Sequence, residues 1–182
     1  MPLPKTKTYT IDDIYSLPEG ERAELIAGRL YMMAPPSRIH QEIAGSIYSE
    51  IKQYIRNKKG ICKPYIAPFA VYLDENDETY VEPDIAVVCD KNKLNDKGCL
   101  GAPDLIIEIV SPSSKKLDYY TKLVLYRDAG VREYWIVDPT RETILVYLLE
   151  QNEAPVIYRF TDMIRVNIFD DLNIMLENLL EE

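Results

Sequence analysis

The sequence predicts an α/β fold with a mixed central β-sheet flanked by helices, in one domain spanning residues 1–182. Three observations carry this. Apolar residues recur at three- and four-residue spacing between Ser37 and Lys59. Short runs of nearly continuous β-branched residues follow, and a capped helical stretch separates two of those runs.

Taken in order, YTIDDIYSLP predicts a short helix capped at Thr10, with acids in its first turn and a stop before Pro18. RAELIAGRLYMM alternates around Ala27-Gly28 and reads as a hairpin or a strand with a tight turn. The long helix from Ser37 to Lys59 presents Ile39, Ile43, Ile47, Ile51 and Tyr54 on one stripe. Pro35 and Pro36 lie outside it, and Ser37 can cap it. Four strand-like runs come next: IAPFAVYL, TYVEPDIAVVC, DLIIEIV and REYWIVD. The second and third suit central strands buried on both faces. Between the third and fourth, SPSSKKLDYYTKLVLYRDAG spans a helix closed by Gly130, which makes a strand–helix–strand unit with an expected right-handed crossover. TILVYLL and VIYRF add strands after a turn at Asp138-Pro139-Thr140.

Composition narrows the chemistry. Hydrophobic residues at 47% and charged residues at 28% are those of a soluble globular protein. No apolar run approaches the roughly 20 residues of a membrane span. MPLPKTKTYTIDDIY lacks the apolar core of a signal peptide, which points to a cytoplasmic protein. Cys62, Cys89 and Cys99 suggest no disulfide framework and contain no CxxC pair. With His40 the sole histidine, composition argues against zinc and excludes any mechanism needing two histidines. A bound metal is then hard and carboxylate-held, Mg²⁺ or Mn²⁺ by preference. The net charge of −9 argues against a general nucleic-acid coat protein, but a carboxylate nuclease site offset by metal is compatible with it. Lys52, Arg56, Lys58, Lys59 and Lys63 form a local basic stretch, to be read as a solvated helix end or as an aid in holding a nucleic-acid backbone.

Two acids interrupt apolar strands: Asp84 in VEPDIAVV and Glu108 in DLIIEIVSP. A buried ionised carboxylate costs several kcal/mol unless a cation or hydrogen bonds compensate. Two such acids on neighbouring strands can hold a divalent ion that binds phosphate and activates water. Lys122 is the candidate cation, because its helix starts directly after the Glu108 strand and doubles back over the sheet. The alternatives are a surface ion pair with Asp118 for Lys122, a Pro-Asp turn for Asp84 and a buried pair with a basic neighbour for Glu108. Tyr134 and Trp135 read as core, and Ser111 to Ser114 as helix capping, since no GxSxG elbow surrounds them.

ELIAGRLYMMAPPSRIHQEIAGSIY, VEPDIAVV and APDLIIEIVSPSSKKLDYYTKLVLYRDAGVREYWIVDP, in that order, resemble the Uma family of restriction endonucleases. The resemblance runs from about Tyr9 to about Leu176 and is most specific from Pro103 to Pro139. That family is placed in the PD-(D/E)XK superfamily, so the resemblance implies a restriction-endonuclease-like fold. It implies that Asp84 is the acid of the PD element and Glu108 the acid of the following strand. The superfamily's usual lysine position is Val110 here, and Lys122 fits members whose lysine has moved to the next helix. Glu24, as an accessory acid, and His40, as an orienting or phosphate-contacting group, also match recurring family positions.

The expectation is a Mg²⁺- or Mn²⁺-dependent endonuclease acting on DNA, with Asp84 and Glu108 as metal ligands and Lys122 positioning the attacking water. A homodimer fits an enzyme that cuts two strands. The alternative is a catalytically inactive member of the fold that binds nucleic acid or protein; the acidic net charge and Val110 favour it. A third reading is an enzyme acting on another phosphate ester or a small nucleotide.

Overall fold

The computed structural model describes residues 8–74, 78–151 and 153–176. Helix α1 (Ile11–Tyr15) opens them, with Thr10 N donating to Asp13 Oδ2 at 2.9 Å across its first turn. A hairpin follows, β1 (Ala23–Ile26) and β2 (Arg29–Met32). Its two turn residues, Ala27 and Gly28, have φ of +48° and +71°, the left-handed pair that matches strand twist in a two-residue loop. Glycine is required at the second position, where an added Cβ would lie 2.4 Å from Thr8 Cγ2.

Helix α2 (Arg38–Asn57) begins where its spacing predicts, with His40 N donating to Ser37 Oγ at 3.2 Å. Its buried stripe is Ile43, Ala44, Ile47, Ile51 and Ile55. Each isoleucine so buried contributes roughly 1.5–3 kcal/mol relative to exposure. Two expected stripe members lie off it. Ile39 is exposed, and Tyr54 is half-buried and donates its hydroxyl to Asp171 at 2.6 Å.

The next strands are β3 (Lys63–Ile66), β4 (Val71–Tyr72), β5 (Tyr80–Val81), β6 (Ile85–Val88), β7 (Leu94–Asn95), β8 (Gly98–Leu100) and β9 (Leu105–Ile109). A helical stretch then runs through a π-helical segment, Leu117–Lys122, into α3 (Leu123–Ala129), and Gly130 ends it in the left-handed region. Strands β10 (Glu133–Asp138), β11 (Thr143–Leu148), β12 (Val156–Arg159), β13 (Ile164–Arg165) and β14 (Asn173–Ile174) complete the described chain.

The central sheet has the order β12-β11-β10-β9-β6-β3. Its only parallel pair is β9 with β10, the strand–helix–strand unit predicted from sequence. A second sheet has the order β2-β1-β5-β4-β8-β7, and β13 pairs with β14. The central strands are buried on both faces. Ile85, Val87, Leu105, Ile107 and Trp135 pack with the α2 isoleucines, while Ala86, Val88, Ile106 and Tyr134 pack with Tyr126 and the second sheet's Ile26, Val71 and Val81. Tyr134 and Trp135 are therefore core, as expected.

Three features depart from the sequence reading. The runs IAPFAVYL and TYVEPDIAVVC each split between the two sheets, after Ile66 and after Val81. Pro68 and Pro83 lie in the gaps, where a residue without an N–H ends a ladder. The helix after β9 is not regular, because its first half has π geometry. The cysteines are not all free: Cys62 and Cys89 form a disulfide just beyond the Lys63–Val88 register pair, and among the described residues only Cys99 remains as a buried thiol. Spacing could not show that pairing, which depends on strand register. No described helix is long and apolar enough to cross a membrane.

Candidate active site

An open cavity of about 1260 Å³ takes its lining from both sheets, the first turn of α2 and the loop and helix after β9. Glu24, His40, Asp84, Glu108 and Lys122, all singled out from sequence, line it together. Each is delivered by a different local device.

Asp84 sits where the chain passes from the second sheet to the central one, directly before β6. The antiparallel register pairs Ile85 with Ile107, so one step outward Asp84 stands opposite Glu108. Directly opposed residues of an antiparallel pair share a face. Asp84 Oδ2 accepts the backbone N–H of Ile109 at 2.7 Å and lies 3.1 Å from His40 Nε2. The acid thus spans from its own strand to the backbone beside Glu108. Burial works against charge on His40, but its hydrogen bond and attraction to Asp84 outweigh burial and raise its pKa above the usual imidazole value.

Glu108 is 4% exposed and Lys122 is 3% exposed. Lys122 Nζ lies 2.9 Å from Glu108 Oε1, 2.8 Å from Glu24 Oε2 and 3.6 Å from Asp118 Oδ1. The surface pair with Asp118 is thus replaced by a buried cluster in which Asp118 is one of three acids around the ammonium. The π-helical segment carries Asp118 and Lys122 four residues apart, and both are buried. Burial opposes the charge of Lys122, yet Glu108, Glu24 and Asp118 hold its pKa well above the ordinary lysine value. These neighbours favour its ammonium form. Burial, together with Asp118, Asp84 and Glu24, pushes the Glu108 carboxyl well up despite Lys122.

Other residues complete the frame. Tyr126 OH donates to Glu108 Oε1 at 2.6 Å. Tyr119 OH donates to Asp138 Oδ2 at 3.1 Å. Glu82 N donates to Glu24 Oε1 at 3.0 Å, and the Glu82 carboxylate accepts from Arg22 and Tyr80. Glu82 escapes the sequence reading; its signal is its place beside Pro83-Asp84. The basic end of α2 lies away from this site. His40 is in the turn that lines the cavity, and Lys52 stands roughly 18 Å farther along the axis.

Asp84 and Glu108 offer the oxygen donors that a hard divalent cation prefers. The hydrogen bonds to the Asp84 carboxylate fall on Oδ2 and those to the Glu108 carboxylate on Oε1, with none to Oδ1 or Oε2 among the described residues. No three His, Cys, Asp or Glu side chains of the described residues form a complete cage. Mg²⁺ does not need one, since it takes one or two carboxylates and keeps several waters. Two further buried atoms of the cavity, His40 Nδ1 and Asp118 Oδ1, lack a hydrogen-bond partner among the described residues.

The fold is α/β: a mixed sheet flanked by helices, with acids lining a cleft. The chain belongs to the Uma2 family, described as "Putative restriction endonuclease", which matches residues 11–177. In fold it is similar to a solved structure described as a "putative nuclease belonging to DUF820" from Anabaena variabilis, with a TM-score of 0.76. That likeness covers 93% of this chain and 96% of the other at 21% identity. The chain is also 25% identical over 130 residues to an uncharacterized protein of Synechocystis, spanning 71% of this chain and 67% of that relative.

Proposed function

We propose that the protein is an endonuclease that hydrolyses phosphodiester bonds of DNA with Mg²⁺ or Mn²⁺. The observation that carries this reading is the opposition of Asp84 and Glu108 across two central strands, with the Lys122 ammonium beside them in the same cleft. Asp84 and Glu108 would hold the ion through Oδ1 and Oε2. When bound, such an ion binds a phosphate oxygen and lowers the pKa of a water.

The chain's own residues supply positioning and charge. Ile109 N and His40 Nε2 fix the Asp84 carboxylate. Tyr126 fixes Glu108, and Glu24 and Asp118 hold Lys122 over it. From that place Lys122 donates a hydrogen bond toward the attacking oxygen and offsets charge developing on phosphate. Its raised pKa keeps that proton in place.

The rival is an inactive nuclease-fold binding module. The observation in its favour is that Lys122 already compensates Glu24 and Glu108, as a structural ion cluster does. Relaxation of supercoiled plasmid separates the two. The nuclease reading expects relaxation with Mn²⁺ or Mg²⁺, loss of it in chelator, and loss in both Asp84→Asn and Glu108→Gln. Equal cutting by both variants would assign the activity elsewhere.

A further inference from the structure

The cations lining the cleft are not equivalent. Lys122 is held by three carboxylates, His40 by Asp84 and Arg22 by Glu82. Arg29 and Lys116 also line the cleft, are exposed, and have no ion-pair or hydrogen-bond partner among the described residues. They stand on different walls. Arg29 begins β2 in the second sheet, and Lys116 lies in the helical stretch that leaves β9 of the central sheet. The acid cluster lies in the same cleft, with Glu24 from the first wall and Glu108 from the second.

The rest of the lining is not polar throughout. Met32 and Ile39, both in the lining, are 56% and 39% exposed. Uncommitted cations and exposed apolar side chains in one cleft match a ligand that carries phosphates and sugar or base faces together. Inorganic phosphate offers no apolar face for Met32 and Ile39. A single nucleotide presents its charge at one end, whereas these cations stand on two walls.

We propose that Arg29 and Lys116 are backbone-phosphate contacts of a polynucleotide strand lying across the cleft. The inference rests on the nuclease reading and extends it to how the substrate is held. Because the two cations come from elements of different walls, a strand touching both crosses the cleft that holds the acids. The basic end of α2 is not part of this contact: Lys58 is committed to Asp171 at 2.6 Å, and none of the basic residues there lines the cleft.

The test is binding of fluorescein-labelled single- and double-stranded oligonucleotides to the full chain in chelator, followed by anisotropy across a salt series. Arg29→Gln and Lys116→Gln should each weaken binding about 3- to 10-fold at moderate salt. Each should also lower the slope of log K against log salt by about 0.9 on duplex, or about 0.7 on single strand. Lys52→Gln and Lys59→Gln should leave the slope at the parental value. Both cleft positions are exposed, and unchanged melting temperatures will show that the variants fold. Parental slopes and affinities in both cleft variants, with the parent binding well, overturn this inference alone. A parent that binds no oligonucleotide and relaxes no plasmid with Mn²⁺ overturns the nuclease reading with it. Equal binding of inorganic phosphate and oligonucleotide, by competition, overturns the polynucleotide assignment.

Discussion

Lys122 Nζ reaches Glu108 Oε1 at 2.9 Å from a helical turn fourteen residues later in the chain. Lysine thus meets the strand acid from the next helix, while Val110 stands two residues after that acid. For a lysine that acts on the reacting phosphate, Lys122→Met should slow plasmid cleavage at least about 100-fold, or about 2.7 kcal/mol. Because the variant also leaves buried acids without their cation, it should be about 3–5 kcal/mol less stable. Denaturant melts give the folded fraction, and single-turnover cleavage corrected for it gives the rate. A corrected rate equal to the parent's would make Lys122 structural only.

Glu108→Gln should abolish cleavage yet leave the metal-free protein as stable as the parent, or more so, near neutral pH. The Glu108 pKa lies well above its ordinary value of 4.5. Between the unfolded and folded values, the native state keeps a proton that the unfolded chain has lost. Its contribution is full below about 4.5 and fades as pH rises through the folded value. The parent should therefore lose stability from mildly acidic toward alkaline pH in chelator, and the glutamine variant should lose less. Urea melts across pH would show this; identical pH slopes would refute it.

His40 is the only histidine, so its ring gives one resolved titration by NMR. In chelator its pKa should exceed the ordinary 6.5, held there by Asp84 against burial. The stability it lends is complete below 6.5 and is lost as pH rises through the folded value. Asp84→Asn should bring the titration downward, since the favourable charge is gone and burial remains. No downward movement would remove Asp84 as its partner.

Tyr126→Phe should cost about 1–2 kcal/mol, the loss of one buried hydrogen bond to a carboxylate that keeps Lys122. Cleavage should fall less than in Lys122→Met, because Tyr126 reaches the site only through Glu108. A loss as large as that of the lysine variant would place Tyr126 at the reacting atoms.

Much of this arrangement was legible because periodicity and burial cost act locally. The isoleucine stripe of α2 and the Ala27-Gly28 turn declare themselves over a few residues. Asp84 and Glu108 stand out because charge in an apolar strand needs a compensating partner. Asp118 did not stand out. By spacing alone, an acid four residues before a lysine reads as a surface pair, and only tertiary packing reveals that both are buried. The division of two apolar runs between sheets was hidden for another reason. Pro68 and Pro83 end ladders locally, but the partner each half then finds lies far away in sequence. Cys62 and Cys89 meet through the register of β3 and β6, which spacing does not encode.

Glu24 belongs to the second sheet, Glu108 to the central one, and Lys122 clasps both. The same ammonium that faces the cleft is therefore a rivet between two layers of the molecule. Whatever competes for those carboxylates therefore bears on the joint between the layers as well.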